Sequence, residues 1–126
     1  MMTSSGEFDP VYIAFEDRGD LTIAEFVIPR LTEEFNLEQL GHELFALVEQ
    51  YGCRKLVVSL GRVEYLTSSG IGKLITLHRK MHRQGGQVVF CDIQKPVEEI
   101  LRASKLIGYF RIVENPAAAV ESLQGA

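Results

Sequence analysis

The chain is predicted to form a single α/β domain, a mixed β-sheet of about five strands with about four helices. Three observations carry that expectation. Two apolar-rich segments near the start, Val11–Phe15 and Leu21–Val27, flank a short turn containing Gly19, which is hairpin chemistry. Beyond them, segments with apolar residues at three-and-four spacing alternate with short runs that are apolar almost throughout, as helices crossing between buried parallel strands do. Finally, 126 residues that are 46% hydrophobic and 24% charged can bury a core without disulfide or metal staples.

Residues 1–9 are polar, carry Gly and Ser, and are expected to be flexible, which leaves 10–124 as the folded domain. In the first strand Val11, Ile13 and Phe15 alternate with Tyr12 and Ala14; Glu16–Asp20 turns the chain into the second, which Pro29 ends because proline cannot donate to a ladder. Asn36 is read as the N-cap of a helix from about Leu37 to Tyr51, with Gly52 just past its end. Its buried stripe is Leu37, Leu40, Leu44, Leu47, Val48 and Tyr51. Leu56–Leu60 reads as a central strand covered on both faces. A second helix is expected from Ser68 to about Gln84, closed by Gly85 and Gly86, followed by a buried strand over Gln87–Asp92. Pro96 reads as the first residue of a third helix ending near Ser104. Tyr109–Val113 makes a last short strand, and Asn115-Pro116 caps a final helix carrying Val120 and Leu123. Right-handed crossovers between parallel neighbours would place the helices mostly on one side of the sheet.

Charge and composition narrow the function classes. A net charge of −4 argues against direct nucleic-acid binding. No apolar run approaches the roughly 20 residues that span a bilayer, and Met1–Phe8 has neither the basic nor the apolar region of a secretory signal. A cytoplasmic protein with no membrane association is expected. Cys53 and Cys91 are too few and too far apart for a metal knuckle or a redox pair, so they read as buried thiols, and no metal or cofactor is expected.

The most informative stretch runs from Leu56 to Leu74: a buried strand, a short polar loop, then an abrupt helix start with adjacent hydroxyls, Ser68 and Ser69, and two small residues, Gly70 and Gly72. First-turn N–H groups lack internal partners and carry the positive end of the helix dipole, so a serine there can cap the helix and a phosphate there meets ready donors. The pattern fits an ordinary capped helix or a phosphorylation switch. It does not fit a P-loop, because Thr67 stands where the first glycine belongs and Leu74 follows Lys73; a dinucleotide fingerprint fails at Ile75. A nucleophile elbow fails at Leu66, and no spacing ties His42, His78 or His82 to Ser68 as a base. His78 and His82 share a helix face, but Arg79, Lys80 and Arg83 surround them with positive charge, so packing rather than metal binding is expected. Lys73, Arg79, Lys80 and Arg83 read as a solvated helix face, with a protein interface as the alternative.

Tyr65-Leu-Thr-Ser-Ser-Gly-Ile-Gly-Lys-Leu74 resembles the STAS domain, the fold shared by bacterial anti-sigma factor antagonists and the cytoplasmic tails of sulfate transporters. In the antagonists this loop typically reads hydrophobic-Asp-Ser-Ser/Thr-Gly-hydrophobic-Gly, and its first serine is phosphorylated by the cognate anti-sigma factor, itself a serine kinase. By position that serine is Ser68, with Thr67, in the aspartate's place, as the alternative acceptor. Gly85–Cys91 resembles the family's Gly-Gly-x-hydrophobic strand and Val97–Phe110 its approach to the last strand, so the likeness runs from about Val11 to Leu123. Thr32 stands where many members carry a further acid.

The resemblance implies a non-enzymatic, cofactor-free regulator of transcription. Unmodified, it would dock an anti-sigma factor through Thr67, Ser68, Ser69, Gly70, Gly72 and Lys73 and free the sigma factor; phosphate on Ser68 would end docking. Two alternatives stay open, an unphosphorylated STAS scaffold in a sensor complex and a small-anion or ligand-binding domain using the helix start; a homo-oligomer is an open assembly state in each case.

Overall fold

The computed structural model describes residues 11–31, 34–49 and 52–124. Along the chain these form β1 (Ile13–Asp17), β2 (Thr22–Phe26), β3 (Arg30–Leu31), α1 (Glu34–Glu49), β4 (Lys55–Ser59), β5 (Tyr65–Leu66), α2 (Ser68–Arg83), β6 (Gln87–Cys91), α3 (Lys95–Ala103), β7 (Ile112–Val113) and α4 (Pro116–Gln124). The opening hairpin is antiparallel, with Ile13 opposite Phe26 and Asp17 opposite Thr22. Every later strand of the main sheet adds in parallel, giving the mixed five-stranded order β1-β2-β4-β6-β7.

The apolar runs are explained by cover on both faces. Leu56, Val58, Val88 and Phe90 meet the stripes of α1, α2 and α3, including Leu40, Leu44, Leu74, Leu77 and Val97. Their alternates Val57, Val89 and Cys91 face α4, through Ala119 and Leu123. Three helices therefore lie on one side and one on the other. Cys53 and Cys91 are free and buried.

Several boundaries differ from the sequence reading. α1 begins at Glu34, so Asn36 lies within the helix and is not its N-cap: periodicity marks the buried face but not where the helix begins. Tyr51, Thr32 and the segment 1–9 lie outside the described residues. Pro96 is the second residue of α3, after Lys95. β7 is shorter than expected because the Tyr109 and Phe110 amides donate back to the Leu106 carbonyl instead of joining a ladder. α2 does stop where expected, with Gln84 as C-cap and Gly85 in the left-handed region at φ +75 that favours glycine.

Glu43 was not anticipated. Only 3% exposed on α1, its carboxylate accepts from the amides of Val11 (2.7 Å), Tyr12 (2.8 Å) and Ile13 (3.1 Å) and from Gln39 Nε2 (3.0 Å). Four donors satisfy the buried charge and fix the start of β1 against α1.

Candidate functional site

The loop before α2 is built on a two-stranded parallel ribbon that the sequence did not reveal. Arg30 pairs with Tyr65 and Leu31 with Leu66. The ribbon is extended at both ends: the Glu64 amide donates to the Pro29 carbonyl (2.7 Å) and the Thr67 amide to that of Leu31 (3.2 Å). Leu31, Val63 and Leu66 are buried, which anchors the ribbon to the core, while Arg30 lies over the exposed Tyr65 ring at 5.0 Å. The helix starts immediately after this anchor.

Thr67 is the N-cap of α2. Its backbone is extended, its Oγ1 accepts from the Gly70 amide at 3.5 Å, and the same hydroxyl donates to the Leu31 carbonyl at 3.2 Å. Ser68 is the first residue of the helix; it and Ser69 are exposed. No acidic residue occupies the first turn of α2, so no carboxylate of its own offsets the positive end of the dipole beside Ser68.

The two glycines sit in different surroundings. Gly70 is buried, and a Cβ there would stand 2.8 Å from the Leu31 carbonyl oxygen and 3.2 Å from Leu66 Cβ. It lets the helix start press onto the ribbon. A Cβ on Gly72 would meet nothing within 4 Å. Gly72 instead lines a groove of about 360 Å3 with Ser69, Lys73 and Thr76 of α2 and with Leu37 and Glu38 of α1. Lys73 runs along that groove and over Gly41, where a Cβ would stand 3.3 Å from its Nζ.

The histidines take no part in this site. His42 is exposed on α1. Ser68 and His78 are ten residues apart on one helix, about 15 Å of rise. His78 packs against His82 (ring centroids 4.6 Å apart), Tyr109 (4.8 Å) and Phe110 (5.7 Å). Burial pushes its imidazole below the ordinary value, and neighbouring His82 adds to the effect. Lys80 bonds the Glu49 carboxylate at 2.7 Å and lies over the Phe45 ring, tying α2 to α1, whereas Arg79 and Arg83 are exposed. Among the described residues no group of three or more His, Cys, Asp or Glu is placed to hold a metal, and no helix is long and apolar enough to cross a membrane.

Comparison with known proteins points one way. The STAS domain family model matches residues 20–119. A candidate anti-sigma factor antagonist of Bordetella bronchiseptica, BtrV, is 30% identical over 91 residues, 72% of this chain and 78% of the relative. The anti-sigma F factor antagonist of Paenibacillus polymyxa is 27% identical over 77 residues, 61% of this chain and 66% of the relative. Among solved structures, an anti-sigma-factor antagonist (STAS) domain protein from Planctomyces limnophilus has a TM-score of 0.79 at 21% identity, covering 89% of this chain and 97% of that one, a likeness of fold.

Proposed function

The chain belongs to the STAS domain family, and from that premise we propose that it is a cytoplasmic anti-sigma factor antagonist whose docking is switched by phosphorylation of Ser68. The observation that carries this reading is the division of labour between two neighbouring hydroxyls. Thr67 is half-buried and its hydroxyl is engaged with Leu31 and Gly70; Ser68 stands exposed at a helix start without a first-turn carboxylate. Ser68 is thus the better acceptor, and Thr67, in the position of the usual aspartate, holds the loop.

The partner is an anti-sigma factor that is also a serine kinase. Unmodified protein docks it through Ser68, Ser69, Gly72 and Lys73, with Thr67 and Gly70 setting the position of the helix start. Docking frees the sigma factor. A phosphate adds roughly 1.5 to 2 negative charges at neutral pH. Free in solution it is stabilised by the amides and dipole of α2; inside a close interface over Gly72 it introduces bulk and a charge that must be desolvated. Both effects favour the undocked state, so the switch needs no large rearrangement. In this account the chain itself performs no catalysis and needs no cofactor.

The test mixes the protein with a co-encoded serine-kinase anti-sigma factor and measures complex formation before and after ATP. Binding lost on ATP addition, with phosphate on this chain, supports the reading. Binding indifferent to ATP supports instead a constitutive scaffold, the alternative that Thr67 in place of aspartate favours.

A further inference from the structure

The end of the sheet where the parallel strands finish carries a second recess, separate from the Ser69–Gly72 groove. Between β6, β7 and the start of α3, Ile93, Ile107, Ile112 and Val113 line a cleft of about 350 Å3. All four are half-buried, each with one side packed on a core cluster. Among the described residues the rest of the lining is acidic, Asp92, Glu98 and Glu114, and neither lysine nor arginine lines it.

The cleft is braced from below. Asp92 holds a left-handed backbone (φ +59), accepts the buried Ser59 hydroxyl at 2.9 Å and donates its amide to the Glu114 carbonyl at 3.1 Å. Glu98 bonds Arg102 one turn along α3 at 2.9 Å, but that pair is largely exposed and exchanges readily with another cation. β7 pairs with β6 and is the last strand of the sheet.

We propose that this cleft binds a basic, aliphatic segment of a protein partner, with Leu, Ile or Val side chains seated among the four aliphatic residues and Lys or Arg against Glu98 and Glu114. Charge complementarity selects that occupant. Three carboxylates repel phosphate-rich ligands such as nucleic acid or an anionic membrane, and the chain's own net charge of −4 disfavours a second copy. Among the described residues the cleft shares no lining residue with the groove beside Ser68.

The test uses the full chain with labelled Ile and Val methyls, titrated with a short peptide alternating Lys and Val and with its Glu-Val counterpart. The Lys-Val peptide should shift the Ile93, Ile107, Ile112 and Val113 methyls saturably, and the Glu-Val peptide should not. In the E98Q/E114Q double variant, checked for an unchanged Tm, affinity should fall about fivefold, as expected for two partly exposed ion pairs, and lose most of its salt dependence. Shifts centred elsewhere, failure to saturate, or equal affinity in the double variant would overturn the proposal.

Discussion

Thr67 hangs from Leu31 by two bonds: its amide and its hydroxyl both donate to the Leu31 carbonyl oxygen, each at 3.2 Å. The same hydroxyl oxygen faces the Gly70 amide and caps α2. A hydroxyl can donate and accept at once. An ionised aspartate, usual at this position in the antagonists, accepts from the helix but has no proton for a carbonyl. Thr67 is therefore a working substitute at the helix start and an additional clasp between α2 and β3.

Replacing Thr67 with Ala should cost about 1 to 2 kcal/mol, because the cap and the bond to Leu31 are lost together. Thr67→Ser should recover most of that. Thermal unfolding followed by circular dichroism reads both, and an unchanged Tm in Thr67→Ala would mean that the clasp contributes nothing.

The two glycines should separate stability from binding. Gly70→Ala puts a methyl against the Leu31 backbone and should destabilise by about 1 to 3 kcal/mol. Gly72→Ala has open space and should stabilise by up to about 1 kcal/mol through helix propensity, while weakening partner docking. Denaturant unfolding beside a partner-binding titration gives the two readouts. Equal loss of stability in both variants would contradict the assignment.

The main sheet and its covering helices were legible because cover on both faces leaves a strong pattern: Leu56–Leu60 and Val88–Cys91 are apolar nearly throughout since alternate residues meet α1–α3 and α4. The position of Ser68 was legible from a buried strand running into hydroxyls and glycines. The ribbon that positions it was not, because two-residue strands are too short to show alternation; its only trace is an isolated apolar pair, Leu31 and Leu66. Gly70 and Gly72 look alike in sequence and differ only in what lies beside them. Glu43 reads as an ordinary polar helix position, and its partners, the amides of residues 11–13, come from a distant segment.

His78 should give the stability a pH dependence of definite sign. Burial first, and His82 second, hold its folded-state pKa below the ordinary value near 6.5. Above that value the ring is neutral in both states and adds no slope. As pH falls through it, the unfolded chain gains a proton that the folded chain resists, so His78 subtracts stability from there down to its folded pKa. His78→Phe keeps a ring against Tyr109 and Phe110, and its Tm should fall less than that of the wild type between about pH 7 and 5. Parallel curves would remove His78 as a source of the slope.

The central claim is that Ser68 is the switched hydroxyl, and phosphopeptide mapping after incubation with the partner kinase and ATP tests it most directly. The account predicts phosphate on Ser68, loss of the complex as it accumulates, weakened binding by Ser68→Asp, and a Ser68→Ala variant that binds but ignores ATP. Phosphate on Thr67, or none with ATP-indifferent binding, would contradict it.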